Sequence, residues 1–291
     1  MTELLQYVVN GLASGSLYVL LAVGFTLVFG VMGMMNVAHA DLYMIAVFTL
    51  LWIGQNSGAG NIVGFVAGVV AAVATGFLVF VIVLRKVDKT VPLALFVGTL
   101  GVSYFIENLV AKIVEFRARS VKPFFQTRPW HLGDLRISNS DLLIFGATLV
   151  ISLGLLWWLR SSTTGRLMRA VSESPSLSEI VAINTGRIMG IAVLIASAIA
   201  GVGGLLTVNK TQGINPFVAN DVSLKMFAVA VVAGIGSVGG ALVAGLALGV
   251  IESLTVGYIG STWQNVVGLA AMIVVLLVRP QGLFGRVSRI G

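Results

Sequence analysis

No cysteine occurs in the 291 residues, which excludes disulfides and thiolate metal sites and leaves the compartment unmarked by redox chemistry. Charge is scarce too. Asp, Glu, Lys and Arg make up 10% of the chain, against roughly 25% in soluble domains. A soluble protein of this size must still clothe its surface, so a large core cannot absorb that deficit. Signatures of chemistry are also missing. There is no G-x-x-x-x-G-K-[ST] loop to cradle a nucleotide and no G-x-S-x-G elbow to hold a nucleophile. The two histidines, His39 and His131, lie far apart, and no His, Asp and Glu set has metal-ligand spacing. The chain therefore does not read as an enzyme, and no metal or cofactor is expected on it. A cleaved signal peptide is not expected either, because Glu3 stands where a basic n-region would lie and the first apolar stretch is too long.

What is abundant is apolar sequence, at 57% of residues. Runs without any charge extend over Leu4–Ala40, Leu42–Leu84, Leu142–Leu159, Ile188–Asn209, Met226–Ile251 and Ser253–Val278. A bilayer core about 30 Å thick needs about 20 apolar residues per helix, so each run can cross at least once. The longest must break. The runs are continuous rather than alternating, which excludes barrel strands. The pattern predicts an all-α integral membrane protein, one transmembrane domain over residues 1–291, with about nine helical segments, some broken. They fall near 4–32, 40–55, 61–84, 91–114, 140–159, 186–208, 222–236, 240–257 and 262–278. The formal charge of +7 then reads as loop cations that fix topology and touch lipid headgroups, not as a nucleic-acid surface.

Three basic stretches mark the expected cytoplasmic side: Arg85 to Lys89, Arg160 to Arg187 with Arg166 and Arg169 between, and the tail with Arg279, Arg286 and Arg289. Nine crossings would leave the N-terminus outside and the C-terminus inside. The loop from Glu115 to Asn139 runs against this count, since it carries Arg117, Arg119, Lys122, Arg128 and Arg136 on the outer side.

Glycine, at 35 residues, clusters inside the apolar segments, where small residues let backbones approach closely. The run Gly234 to Gly240 is denser than packing demands and predicts a helix broken in mid-membrane. Polar groups in apolar surroundings supply the candidate pathway. Asn36-Val-Ala-His-Ala-Asp41 falls between two apolar stretches, where His39 and Asp41 are costly unless paired or wetted. They could line a path or gate. Alternatively Asn36 ends one helix while Asp41 favours the dipole at the start of the next. Glu252 interrupts a long uncharged stretch, and Glu107 has Lys112 one turn on as a possible partner. With Asn10 and Ser14, the residues Asn36, His39, Asp41 and Glu252 form the candidate substrate pathway.

A different signal lies in Gly165 to Gly186. Ser174 followed by Pro175 is a good helix start, and Ser176 with Glu179 offers an alternative capping box. The short helix, running to about Ile183, would expose Leu177, Ile180 and Val181 on one face. Few cations flank that face, so a protein partner fits better than a membrane surface.

Several stretches resemble the branched-chain amino-acid ABC transporter permeases, of the high-affinity leucine/isoleucine/valine type. They are Val9 to Gly30, Asn36 to Met44, the segment Gly165–Asn184, the glycine-rich Ala233–Gly249 and the ending Leu277-Val-Arg-Pro-Gln-Gly-Leu-Phe-Gly285. The likeness covers nearly the whole chain and implies the fold of type II ABC importer permeases in a bacterial inner membrane. It also implies a second permease subunit, similar or identical, two cytoplasmic ATPase subunits that bind ATP, and a periplasmic substrate-binding protein. By that likeness Glu173, Ser174, Pro175, Leu177, Glu179, Ile180 and Val181 belong to the coupling helix that docks on an ATPase. The family commonly has an aromatic where Val37 stands, and glycine at Ala40 and Ala182. Related permeases move urea, short amides or aromatic acids. The competing reading from the residues alone is a self-sufficient secondary transporter or channel relaying ions through His39, Asp41, Glu107 and Glu252.

Overall fold

A computed structural model describes residues 2–87, 92–124, 129–133 and 135–285. The cations Lys89, Arg128, Arg286 and Arg289 lie outside the described residues. Among the described residues eight helices are long and apolar enough to span a membrane. A ninth, α9 (Val218–Ala233), is shorter. All nine segments read from the sequence are present, with ends displaced by a few residues.

The first helix, α1 (Thr2–Met32), runs through the middle of the molecule. After it the chain leaves helical geometry at Gly33 and re-enters through a tight turn at Val37–His39. That turn leads into α2 (Asp41–Thr49), which continues as a wide turn to Asn56. Next come α3 (Asn61–Val79, extended to Leu84), α4 (Pro92–Ile113) and α5 (Asn139–Ser161). Two short helices, α6 (Thr163–Glu173) and α7 (Pro175–Ile180), precede the long α8 (Thr185–Thr211). The chain closes with α9, α10 (Val238–Tyr258) and α11 (Gln264–Val278).

Glycine decides which helices meet. A Cβ on Gly11 would come within 2.5 Å of the Val250 Cα, and one on Gly15 within 2.6 Å of the Gly245 carbonyl. The backbones of α1 and α10 therefore touch directly, antiparallel, along most of their length. In hydrocarbon no hydrophobic drive joins helices, so this close van der Waals contact supplies the association.

Two ends of the bundle are distinguishable by their bonds. At one end Gln6 accepts from the Arg136 amide, Gln55 accepts from the Lys122 amide, and Lys210 pairs with Asp141 at 3.4 Å. There β1 (Arg119–Ser120) pairs antiparallel with β4 (Gly213–Ile214), and β2 (Pro129–Leu132) with β3 (Leu135–Ser138). The basic loop after α4 is thus a folded cap, not a free tether. Arg119 donates to the Val114 carbonyl and Arg117 faces Glu115, so part of its charge is already engaged. At the other end the Leu283 and Phe284 amides donate to Val232 and Ala233, pinning the tail beneath α9. An open crevice of about 610 Å³ there is lined by Gly30, Arg160, Arg169, Gly236 and Phe284 among others.

The run Gly234 to Gly240 differs from expectation. It is the turn between α9 and α10 at this second end, next to the last turn of α1, and not a break in mid-membrane. Gly234 and Gly236 adopt φ of +91° and +86°, which only glycine reaches without strain. A second interruption follows Met32, where residues 33–36 leave helical geometry before the turn at Val37–His39.

Candidate functional site

Three groups of polar side chains sit within the bundle, and the sequence-selected pathway residues divide among them.

Near the capped end, Asn10 is exposed on α1 and accepts from Gln6 at 3.0 Å. One turn on, half-buried Ser14 accepts from Lys210 at 3.1 Å, and Lys210 also pairs with Asp141. These groups line the outer turns of α1 and α8.

Deeper, about two turns from the opposite end of α1, His39 lies against Gly24, where a Cβ would stand 2.8 Å from its Nε2. Asn36, His39 and Asp41 are each at least 97% buried, Glu107 99%. The Val37 amide donates to Thr99 at 3.3 Å, tying the turn to α4. Ser103 and Glu107 of α4 stand near Asp41. Yet neither Asp41 carboxylate oxygen has a partner in hydrogen-bonding geometry, nor has Asn36 Oδ1, His39 Nε2 or Glu107 Oε1. Glu107 was expected to find Lys112. It accepts instead from Asn220 at 3.1 Å through Oε2, while Lys112 points outward from α4. The helix turns Lys112 away because five residues carry it well round the cylinder.

The third group surrounds Glu252 of α10. Its Oε2 accepts from Lys225 Nζ at 2.7 Å, from the Tyr18 hydroxyl at 2.8 Å and from Gln264 Nε2 at 2.9 Å. Lys225 also donates to the Tyr18 hydroxyl at 2.8 Å, with its ammonium 4.8 Å from the centre of that ring. Four helices meet here. Lys225 was not foreseen. With α9 read from residue 222, it fell beside the membrane boundary. The helix begins at Val218 and places it about two turns inside. The Asn215-Pro216 pair ahead of α9 was the available signal for the earlier start.

The loop-side candidates form a separate element. Ser162 caps α6 by accepting from the Gly165 amide, and Arg169 donates to the Leu159 carbonyl, folding α6 back on α5. Glu173 ends α6, exposed. Ser174 caps α7 by accepting from Leu177 N at 3.3 Å, with Pro175 at the first helical position. Ser174, not Ser176, makes the cap. Glu179 is engaged elsewhere, accepting from the Thr185 hydroxyl at 2.8 Å. The helix ends at Ile180 rather than Ile183, because Ala182 turns left-handed at φ +61°. Ser178 is buried against the bundle. Leu177, Ile180 and Val181 are 65%, 79% and 68% exposed. The arrangement is a bracket presenting three aliphatic side chains.

Among the described residues no group of three or more His, Asp or Glu side chains converges as a metal ion would require.

Comparison with known proteins covers nearly the whole chain. The family described as branched-chain amino acid transport system / permease component matches residues 7–276. The high-affinity branched-chain amino acid transport system permease protein LivH of Escherichia coli K12 is 33% identical, over 97% of this chain and 96% of that protein. Its counterpart BraD of Pseudomonas aeruginosa is 31% identical over 97% of this chain and 96% of its own length. The guanosine ABC transporter permease protein NupQ of Bacillus subtilis is 29% identical over 59% of this chain and 57% of its own. No solved structure matches.

Proposed function

The chain belongs to the branched-chain amino acid transport permease family, a multi-pass inner-membrane transport component and not an enzyme, and from that premise we propose that it is the membrane conduit of an ATP-driven importer. Its solute is a branched-chain amino acid or a related small molecule. Its partners are a second permease subunit, two cytoplasmic ATPases that bind ATP, and a periplasmic binding protein that delivers the solute. The end bearing Arg160, Arg169 and the tail faces the cytoplasm, and the strand-capped end faces the binding protein.

One observation carries this reading: the α6–α7 bracket. A soluble-side helix that exposes Leu177, Ile180 and Val181 while anchored through Ser178 has apolar area to bury and, among the described residues, no segment of its own chain over it. A chain without a nucleotide-binding loop draws its energy from elsewhere, and this helix is where another protein can push. ATP closing the ATPase dimer would move α7, and α6 and α8 would pass the movement to the bundle. Glu173, Ser174, Pro175, Leu177, Glu179, Ile180 and Val181 form the docking element.

The six pathway candidates then act at different depths. Asn10 and Ser14 meet solute at the outer end, and Glu252 follows. Asn36, His39 and Asp41, enclosed within the subunit, belong to a gate that rearranges rather than to an open channel. Leu177→Asp places a charge on the docked face. It is expected to abolish uptake coupled to ATP hydrolysis while the protein still inserts at normal levels, read by vanadate-sensitive uptake in vesicles holding the complete importer. Normal uptake by that variant rejects the docking assignment. The unmet acceptors of Asp41 and of Glu107 Oε1 favour one second reading, an ion relay. Proton-gradient-driven uptake in liposomes containing this chain alone would establish it instead.

A further inference from the structure

Every hydrogen bond to Glu252 among the described residues goes to one oxygen, Oε2. The other, Oε1, points toward Gly268 of α11, where a Cβ would stand 3.1 Å from it. Gly268, Glu252 and Lys225 line one small cleft between α9, α10 and α11, together with Leu224, Leu248 and Leu269. Lys225 uses two of its three ammonium protons, on Tyr18 and Glu252. The cleft thus holds an unengaged anionic acceptor, a cationic donor with one proton to spare, and aliphatic walls.

Such a set is poorly explained as a brace. Ion pairs taken out of water contribute little or negative stability compared with well-packed apolar residues. In a membrane they are costlier still unless they face a wetted cavity. Leu224 and Leu269 are exposed, so the cleft opens on the flank of the subunit. A flank bearing Lys225 and Glu252 suits the wet seam between two permease subunits, not lipid. The chemistry that satisfies it is a zwitterion with a branched aliphatic substituent.

We infer that this cleft holds an α-amino acid in transit, its carboxylate on Lys225, its ammonium on Glu252 Oε1 and its side chain among Leu224, Leu248 and Leu269. The inference rests on the importer reading above and names the contact at which the solute leaves bulk water. Tyr18 and Gln264 hold Oε2, so Oε1 stays aimed outward when the solute arrives. Gly268 keeps the approach to that oxygen open. Affinity remains low, because Lys225 and Glu252 return to each other once the solute moves on.

The absence of cysteine makes a direct test available. In proteoliposomes containing the complete importer, Leu269→Cys is exposed to a water-soluble methanethiosulfonate, and labelling of the permease band is followed with time. Labelling is expected, and leucine with the binding protein should slow it about ten-fold, whereas the binding protein without leucine should not. Adding Glu252→Gln should leave labelling intact and remove the protection by leucine. As a variant independent of the ion pair's contribution to folding, Gly268→Ala should raise the leucine concentration for half-maximal uptake several-fold at unchanged protein level. A cysteine that never labels, labelling indifferent to leucine, or unaltered uptake by Gly268→Ala overturns the assignment when wild-type leucine uptake proceeds in the same vesicles. Absence of wild-type uptake for every branched-chain amino acid likewise overturns the assignment, whereas absence of any ATP-driven uptake would strike the importer reading on which it rests.

Discussion

Two buried acidic clusters in this molecule are built on opposite terms. Around Glu252, three donors from three helices converge on one carboxylate oxygen, and the nearest cation stands 2.7 Å away. Around Asp41, a carboxylate with no exposed surface has the Ser103 hydroxyl near it but no donor in hydrogen-bonding geometry, and Glu107 nearby has a single amide. The first is an assembled site whose cost has been met by its own neighbours. The second stores an unmet demand for hydrogen bonds, the kind of local conflict that a rearrangement relieves. The difference is what the proposed division of roles rests on, the first cluster for contact with solute and the second for switching between states.

That contrast can be broken most forcefully at Lys225. Lys225→Met leaves Glu252 buried without its cation, which costs about 3–5 kcal/mol. A marked drop in the thermal unfolding midpoint of the detergent-purified protein is expected, and pairing the change with Glu252→Met should restore the midpoint without restoring uptake. A smaller effect is expected at the second cluster from Asn220→Ala. It strips Glu107 of its donor at a cost of about 1–3 kcal/mol, visible as a lower midpoint in the same assay. Smallest of all should be Asp41→Leu, since no partner is lost: a midpoint unchanged to within about 1 kcal/mol, with uptake nevertheless impaired because the switch has lost its polar group. A large destabilisation by Asp41→Leu would mean that Asp41 is satisfied in the membrane and that the two clusters are alike.

Local chemistry was legible in the sequence wherever it was self-contained. Most of the nine helical segments follow from uncharged runs, and the α7 start from Ser174 and Pro175 alone. The exposure of Leu177, Ile180 and Val181 follows from their spacing on a short soluble-side helix. Ala182, where the resemblance leads one to expect glycine, holds φ +61°, a conformation that suits glycine better than alanine. What could not be read depends on distant pairing. Lys225 and Glu252 are partners only because α9 and α10 fold back on each other, and Tyr18 joins them from 234 positions away. The pairing of Glu107 with Asn220 rather than Lys112 likewise required the first turn of α9 to come within reach of α4. Glycines gave the right signal of close approach, but not whether they mark a mid-membrane break or, as at Gly234–Gly236, a turn at the bundle's end.

The bare backbone seam between α1 and α10 has a mechanical consequence. Helices that interlock without intervening side chains have little compliance between them, so the pair behaves as one stiff lever. The 31 residues of α1 span about 46 Å at about 1.5 Å each. Over that arm a tilt of about 5° displaces the far tip by about 4 Å, enough to open or shut a passage for a small solute. A modest shove delivered where the tail and the α9–α10 turn abut the base of α1 would therefore be felt, undiminished, on the opposite face of the membrane.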